Sequence, residues 1–505
     1  MGKSELLVKG ATVLDPVGPL READIRVENA TITEVGPGLS AGSAMVVDAT
    51  DMLAMPGLIN AHTHSGQNLD RGVAPNLPLD LWLIWVVYGG IRFSADDSYT
   101  LAMAGALEML GSGCTAVLDH AWVSPEGFEE HSDAMMSAYS DAGIRAGLAP
   151  MIQDLEIFES MSFEAITGGA PEPLDGPIDP SLLTSWMTDF FDRWQGVNPR
   201  LTPMVGPSAP QRCSDELMTM MAELTRERGA LFHTHVLETK TQIVATHDRY
   251  GRSSVEFLRD LGLLSPTTSL AHCVWMDSDE YAAVREAGVT IVHNPISNLR
   301  CGSGLLPVGD LLRGEVRVAL GADGAASNDS QNMFETMKFA ALIHTLYGPH
   351  QSWPLAHQIW QMCLSGGATA LGQALGSISP GMAADIVILD IDRHVLVDKN
   401  SLVASLVLAE HGESVDTVIV NGEVVVADGS STRVDEAEAT RRSLALQERI
   451  HTGLPERQAV YDRYVDVLTA VHEHAMGLQT PVERAGDHHA RIRDRLKGSV
   501  HRSAA

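Results

Sequence analysis

The sequence predicts an α/β fold, a (β/α)8 TIM-like barrel with a small β-sandwich domain built from both terminal segments. Between residues 57 and 378, eight short apolar segments alternate with longer amphipathic stretches, as repeated strand–helix units require. Eight is the number of such units that closes a barrel. Short apolar runs separated by Gly, Pro and Asp turns flank this region on both sides, which is typical of antiparallel strands.

The predicted barrel strands follow one another along the central region. They lie at 56–62, 115–118, 145–151, 201–205, 230–235, 269–274, 289–292 and 316–321. An open doubly wound sheet fits the same periodicity, but no glycine-rich phosphate loop follows the first strand. The barrel is therefore the better interpretation.

Three structural units are expected. Residues 1–56 and 379–435 form the composite β-sandwich domain, because a strand-like texture returns near the C-terminal end with the hairpin signal Asn421-Gly422. Two unrelated edge segments are the alternative. Residues 57–378 form the barrel, and residues 436–505, rich in Arg, Glu, Ala and His, are expected to form solvated helices that contribute an oligomer contact.

Composition excludes several classes of partner. The 505 residues are 45% hydrophobic and 20% charged, as in an ordinary globular chain. Lys and Arg number 35 against 65 Asp and Glu, and the formal charge of -30 repels phosphate backbones and anionic lipid. We therefore expect neither nucleic acid nor membrane as partner. The five widely spaced cysteines include no C-x-x-C, so a reducing, cytoplasmic location is expected.

Polar residues capable of chemistry follow most of the predicted barrel strands. In a parallel barrel these C-terminal strand ends converge on one mouth, where active sites of this fold lie. Each histidine taken alone is as readily a buried structural residue, but their collective placement indicates a site. The residues are His62 and His64, Asp119 and His120, Ser208, His235 and Glu238, His272, His293 and Asn294, and Asp323.

The spacing His62-Thr63-His64 suits a metal site, because alternate residues of a strand share a face. With His235 and Asp323 it supplies three imidazoles and one carboxylate, a set suited to zinc or ferrous iron that leaves a position for water. Water on such a metal loses several pKa units, so that hydroxide becomes available near neutral pH. This hydroxide would be the nucleophile of a hydrolytic reaction.

Three residues then take catalytic roles. Asp323 can accept the proton of the attacking water, and Glu238, three residues after His235, can carry a proton to the substrate. His272 is placed to polarise or steady the developing tetrahedral centre. The alternative for Glu238 is a surface carboxylate at the start of a helix. Neither a G-x-S-x-G elbow nor a P-loop occurs, so serine hydrolase and nucleoside-triphosphatase interpretations have no support.

Several motifs taken together resemble those of the amidohydrolase superfamily. The closest branch is the mononuclear-metal one that holds cytosine, guanine and S-adenosylhomocysteine deaminases together with triazine chlorohydrolases and aminohydrolases. The resemblance covers about residues 5–430. Its motifs are PGLINAHTHSGQ, GSGCTAVLDH, HTHVLET, LAHC, HNPISNLRCGSGLLPV, GADGAASNDSQNMFE, ALGSISPGMAADIVILD and VIVNGEVV.

The resemblance assigns roles to particular residues. It implies that His62 and His64 are first-strand metal ligands, His235 the fifth-strand ligand, Asp323 the eighth-strand ligand and base, Glu238 the proton shuttle and His272 the histidine beside the attacked carbon. Gln67 falls where triazine hydrolases place a substrate-contacting glutamine, although a plain polar loop residue is equally possible. Binuclear relatives bridge two metals with a lysine or glutamate that 205–210 does not offer.

The expected function is therefore that of a hydrolase acting on carbon–nitrogen bonds with one divalent metal ion per chain, zinc or alternatively ferrous iron. It would be an aminohydrolase that attacks an amino-bearing carbon of an N-heteroaromatic or amidine-like small molecule. The alternatives are a triazine-type chlorohydrolase or N-alkyl aminohydrolase, a urea or amide hydrolase, and a non-catalytic metal-binding scaffold.

The mouth of the predicted barrel suggests what the substrate meets. Gln67, His120, Ser208 and Asn294 are the expected substrate contacts. The acidic segment 153–180 is either a lid or a passive surface insertion, and its charge favours a neutral or cationic nitrogen-containing substrate. A homodimer or higher homo-oligomer is expected.

Overall fold

The computed structural model describes residues 5–484 apart from 17–18, 90–91, 162, 164–165, 167, 170, 175, 347, 392–400, 481 and 483. Its strands are β1 (Glu5–Val13), β2 (Arg21–Glu28), β3 (Thr31–Gly36), β4 (Met45–Asp48), β5 (Leu53–Pro56), β6 (Leu58–Thr63), β7 (Cys114–Asp119), β8 (Arg145–Leu148), β9 (Met151–Ile152), β10 (Leu201–Pro203), β11 (Gly206–Pro207), β12 (Phe232–Val236), β13 (Thr268–His272), β14 (Thr290–His293), β15 (Arg317–Leu320), β16 (Ile386–Leu389), β17 (Val415–Val420), β18 (Glu423–Ala427) and β19 (Ser430–Ser431).

The helices lie mostly between the parallel strands and after the last strand. They are α1 (Leu79–Val86), α2 (Ala95–Gly111), α3 (Phe128–Ala142), α4 (Pro180–Trp194), α5 (Asp215–Arg228), α6 (Lys240–Tyr250), α7 (Ser254–Asp260), α8 (Ser278–Ala287), α9 (Pro295–Arg300), α10 (Val308–Arg313), α11 (Ala325–Asn328), α12 (Met333–Ile343), α13 (Ala356–Gln361), α14 (Gly367–Ala370), α15 (Leu402–Leu408), α16 (Glu436–Thr452) and α17 (Leu454–Gly477).

Both ends of the chain contribute to one nine-stranded sheet. Its order is β19-β18-β17-β16-β5-β1-β2-β3, and β4 pairs with β1. The two ends meet where β5 runs antiparallel to β16, with Pro56 opposite Ile386. The predicted pairing of the two terminal segments is thus present as a single sheet, while its arrangement as a sandwich and the domain boundaries stay predictions.

The central strands are parallel, as expected for repeated strand–helix units. They form two arcs of four strands, ordered β10-β8-β7-β6 and β12-β13-β14-β15, with β9 and β11 as a short extra pair. A parallel bridge between Val205 and Phe232 links the arcs on one side. On the other side the backbone N–H of Asp323 donates to the carbonyl of His62 at 2.8 Å. All eight predicted strand segments contain a strand, and closure into a continuous barrel stays a prediction.

Burial on both faces explains why these strands are apolar along their length. Every residue of β7, β12, β13 and β14 is buried, because helices cover the outside of the sheet and side chains fill the inside. Three of these strands, β7, β13 and β14, end on a polar residue, which is Asp119, His272 and His293 respectively. This arrangement carries the chemically capable side chains to one edge.

The C-terminal helices differ from the prediction of solvated helices. One face of α17 buries Tyr464, Leu468 and Val471 in the same apolar cluster as α1. The spacing of these residues, i, i+4 and i+7, forms a continuous stripe on a helix, so that only the other face is left to water. None of the helices in the described part of the chain carries an apolar stretch of bilayer-spanning length.

A buried ion pair joins the central parallel strands to the terminal sheet. Arg145, at the start of β8, donates from Nε and Nη2 to the two carboxylate oxygens of Asp385, each at 2.9 Å. Both side chains are 3% exposed. Asp385 also accepts the backbone N–H of Asn421 at 2.8 Å. Because the pair is desolvated, each charge depends on the other.

We predict that Arg145→Met lowers the free energy of unfolding by about 3–5 kcal/mol, because it leaves the Asp385 carboxylate buried without its cation. Chemical denaturation of the two proteins measures the difference. Arg92→Met is the matched control, since Arg92 and Glu126 are 86% and 81% exposed and their pair is screened by water. Equal losses in both variants would contradict a special role for the buried pair.

Candidate active site

Strand ends bring four of the predicted residues within reach of one another. The Nε2 atoms of His62 and His64 lie 3.7 and 3.3 Å from Oδ1 of Asp323. Nε2 of His235 lies 3.3 Å from Nε2 of His64. All four residues are buried. The structure thus assembles the predicted ligand set from β6, β12 and the turn after β15.

Hydrogen bonds to backbone carbonyls fix which imidazole nitrogen faces the centre. Nδ1 of His64 faces the carbonyl of His120 at 2.5 Å, and Nδ1 of His235 faces that of Ser208 at 2.6 Å. Since a carbonyl only accepts, each Nδ1 carries the proton, and each neutral ring has an unprotonated Nε2. Two nitrogen lone pairs therefore point at each other across 3.3 Å. A cation between them removes that repulsion.

His62 adds a third nitrogen that fits the same cation. Its Nε2 is fully buried and has no hydrogen-bond partner. Burial, followed by the neighbouring histidines, holds the pKa of His62 well below its usual range, and burial does the same for His235. Both rings are therefore neutral near pH 7 and able to ligate a metal. His62, His64 and Asp323 form one potential metal-holding group, and His62, His120 and His235 form another.

His233, which is not among the site residues expected from the sequence, contacts the outer nitrogen of His62. Nδ1 of His62 lies 2.8 Å from Nε2 of His233, whose own Nδ1 lies 2.7 Å from Oγ of Ser269. His233 is fully buried, and burial lowers its pKa to about 3. A partner on the outer nitrogen fixes the tautomer and the ring orientation of a ligating histidine. The His233-Thr234-His235 spacing was the available signal, because both side chains leave the same face of β12.

The turn after β15 holds Asp323 by its backbone. Asp323 has a left-handed φ of 66°, which aspartate tolerates better than most residues. Its carbonyl accepts from Nε2 of Gln331 at 2.8 Å and from Oγ1 of Thr63 at 3.1 Å. Gln331 was not singled out from the sequence, since it lies eight residues beyond the carboxylate it supports.

Glu238 and His272 lie close to each other and to Asp323. Nε2 of His272 lies 3.5 Å from Oε2 of Glu238 and 3.7 Å from Oδ2 of Asp323. Its Nδ1 faces Oδ1 of Asn298 at 2.8 Å, which aims Nε2 at the two carboxylates. Oγ of Ser303 donates to Oε1 of Glu238 at 2.8 Å. Burial raises the pKa of Glu238, while the nearby His272 opposes that rise.

A pocket opens above this centre. Its apolar wall comes from α1 and its neighbours, and Gln67 lies in its lining together with the catalytic candidates. The apolar wall consists of Leu79, Trp82, Leu83, Val87, Tyr88, Trp122 and Met151. His120, Ser208 and Asn294 are fully buried and lie outside the lining, so their role as substrate contacts stays a prediction.

The acidic segment 153–180 is anchored in its described part. Glu156 accepts the backbone N–H groups of Phe158 at 2.7 Å and Leu174 at 3.0 Å. Phe158 in turn packs on Tyr464 of α17, with ring centroids 5.0 Å apart. Gln153 lines the pocket and donates to Oη of Tyr88 at 3.0 Å. The segment therefore contributes to the wall between the pocket and the C-terminal helices.

Known proteins resemble this chain in both sequence and fold. A model of the amidohydrolase family matches residues 53–425. The 5'-deoxyadenosine deaminase of Methanosarcina mazei is 34% identical over 454 residues, which cover 88% of this chain and 98% of that protein. The family match includes all the central parallel strands and the four candidate ligands, together with β5, β16 and β17 of the terminal sheet.

Solved structures give the same result. A triazine hydrolase from Arthrobacter aurescens has a TM-score of 0.80 at 26% identity, covering 88% of this chain and 99% of its own. A zinc-bound adenosine deaminase from Xanthomonas campestris has a TM-score of 0.78 at 26% identity, covering 89% and 99%. The relatives thus include enzymes with bound zinc.

We predict that His62→Ala loses the metal that the wild-type chain carries at about one ion per chain, because it removes a ligand from the centre of the set. Elemental analysis of protein purified without added metal measures this. The control is His474→Ala, which alters the exposed member of the chance pair His472-Glu473-His474 on α17. Metal retained by the His62 variant would contradict the assignment.

We also predict that His233→Leu weakens metal binding by about 10- to 100-fold while leaving the ligands in place, because the outer nitrogen of His62 loses its partner. Competition with a chelator of known affinity measures the change. His247→Leu, at an exposed position of α6, is the control. Unchanged affinity would leave His233 with a packing role alone.

Proposed function

This chain belongs to the amidohydrolase family, and on that premise we propose that it is a zinc-dependent aminohydrolase that releases ammonia from an amino-bearing carbon of an N-heteroaromatic small molecule. The observation that carries the proposal is the close approach of the Nε2 atoms of His64 and His235, 3.3 Å apart beside the Asp323 carboxylate, while both Nδ1 atoms face backbone carbonyls. His62, His64, His235 and Asp323 would hold the metal. Three nitrogens and one oxygen suit zinc.

A divalent metal, when bound, acidifies water and so makes a nucleophile available near neutral pH. The residues of the chain then move the protons. Oδ1 of Asp323 faces the ligand nitrogens, while Oδ2 is turned toward His272. Asp323 is therefore placed to accept one proton of the attacking water as its oxygen bonds to the amino-bearing carbon.

Glu238 supplies the second proton. Because burial raises its pKa, its carboxyl group is a better proton donor near neutral pH than an exposed glutamate. It protonates the ring nitrogen beside the attacked carbon. The carbon–nitrogen bond then breaks as the amino group takes the proton from Asp323 and leaves as ammonia. The hydroxyl proton of the adduct returns to Glu238, and the product is the ring carbonyl.

His272, oriented by Asn298, lies next to both the Glu238 and the Asp323 carboxylates. Nε2 of His272 lies within 4 Å of both Glu238 and Asp323 and is placed to stabilise the negative charge that develops at the attacked centre. Asn298 fixes the ring by accepting from Nδ1 at 2.8 Å.

The proposal also covers the architecture and the setting of the enzyme. The central strands form a closed barrel, and the terminal sheet is arranged as a sandwich. The structural units are 1–56 with 379–435, 57–378 and 436–505, and the enzyme is homo-oligomeric and cytoplasmic.

A second candidate keeps the machinery and changes the leaving group. The fold similarity to a triazine hydrolase, together with Gln67 in the pocket lining, favours chloride or an alkylamine leaving from a triazine. The group released by the reaction distinguishes the two candidate functions. Ammonia from heteroaromatic amines supports the first candidate, and chloride or a substituted amine without ammonia supports the second.

We predict that Glu238→Gln lowers kcat by about 10²- to 10⁴-fold with the metal retained, because the amide cannot donate the ring-directed proton while the ligands are untouched. Steady-state kinetics of ammonia release and elemental analysis of the same preparation measure both effects. Glu448→Gln, on the exposed face of α16, is the control. Undiminished turnover would refute the assigned role of Glu238.

A further inference from the structure

One cation in the pocket has no role in the proposed chemistry. Arg212 lies in the pocket lining, and it is the one Lys or Arg among the described residues of that lining. It ends the short turn Pro210–Arg212 that follows β11. Oη of Tyr250 donates to the carbonyls of Pro210 at 2.6 Å and Cys213 at 2.8 Å, so the turn is held from both sides.

Arg212 is half-buried and, unlike the buried Arg145 and Arg457, it forms no ion pair with a carboxylate among the described residues. Arg145 and Arg457 pair with Asp385 and Asp70. The side chain of Arg212 instead makes a single long hydrogen bond, from Nη1 to Oγ of Ser208 at 3.4 Å, within the described part of the chain. Its Nε is buried and has no hydrogen-bond partner.

A pocket arginine whose N–H groups have no acceptor raises the free energy of the folded protein unless a ligand accepts their hydrogen bonds. A buried donor that is left unsatisfied loses the free energy of its hydration. The guanidinium presents N–H groups in a fixed plane, which suits oxygen acceptors better than aromatic faces or alkyl groups. Oxygen acceptors do occur in the same lining, among them those of Gln153, Glu238 and Asp323. Burial raises the pKa of Glu238 and the charge of Arg212 opposes that rise, but none of these described residues accepts a hydrogen bond from the guanidinium. The missing partner is therefore expected from the substrate.

We propose that Arg212 binds an oxygen acceptor carried by the substrate, and so selects heteroaromatic amines that bear such an oxygen. This inference rests on the proposed function. Two sources share the chemistry, an exocyclic carbonyl on the ring or a hydroxyl of a sugar attached to it. The position of Arg212 beside Ser208, whose carbonyl holds the ligand His235, places the guanidinium close to the reacting ring.

Two matched pairs of compounds distinguish these sources. Guanine and 2-aminopurine share the 2-amino group and differ in the exocyclic oxygen. 5'-Deoxyadenosine and 9-methyladenine share the 6-amino group and differ in the sugar. The dissociation constants of all four are measured with the zinc-loaded protein in a Glu238→Gln background, so that binding is scored whether or not turnover occurs.

We predict that the Glu238→Gln protein with Arg212 intact binds the oxygen-bearing member of one pair about 10- to 100-fold more tightly than the other member. Adding Arg212→Met should reduce this ratio of dissociation constants to below about threefold. The pair that responds identifies the source of the oxygen. A ratio within one variant does not depend on the fraction of folded or metal-loaded protein. Arg212→Lys keeps the charge without the planar fork and should retain part of the preference.

The control is Arg228→Met, at the end of α5, where the guanidinium pairs with Asp192 away from the pocket. Ratios that Arg212→Met leaves unchanged in both pairs, or no measurable binding of any of the four compounds, would overturn the role of Arg212. Failure of the proposed function is seen separately, as the absence of ammonia release by the protein with Glu238 intact. Ammonia release with unchanged binding ratios refutes the role of Arg212 alone.

Discussion

The centre of this protein depends on one electrostatic constraint. Buried imidazoles whose outer nitrogens donate to carbonyls must turn their lone pairs inward, and lone pairs 3.3 Å apart repel unless a cation lies between them. Parallel strands satisfy the geometry, because their ends deliver side chains to one edge at fixed spacing. His120 follows β7, the neighbour of β6, and Ser208 follows β11, so the ends of the parallel strands supply both the candidate ligands and the carbonyls that orient them.

The strands, and the residues proposed as metal ligands, could be predicted from the sequence because each is marked by a local pattern. Apolar segments of four to seven residues mark strands buried on both faces, and the polar residue that follows each one marks the mouth. His62 and His64 share a face by strand periodicity alone. These features need no knowledge of which strand neighbours which, beyond the single assumption of a parallel barrel.

The supporting residues were not readable, because their partners are distant in the chain. His233 meets His62 across 171 residues, and Ser303 meets Glu238 across 65. Arg212 has the same difficulty, since a lone arginine in a turn carries no sequence signal of a pocket. The solvated character assigned to the C-terminal helices was wrong for one face of α17, whose stripe of Tyr464, Leu468 and Val471 packs on α1. There the signal existed, but the high charge of the neighbouring residues hid it.

The pairing of β5 with β16 has a consequence for how the chain is made. Pro56 cannot meet Ile386 until roughly 330 further residues have been synthesised, which at ribosomal rates of about 5–20 residues per second takes tens of seconds. During that interval the N-terminal strands present an unpaired edge, a template on which nascent chains associate. The central parallel strands can form during that time, so β16–β19, which are translated long after β1–β5, complete the sheet that the N-terminal strands begin.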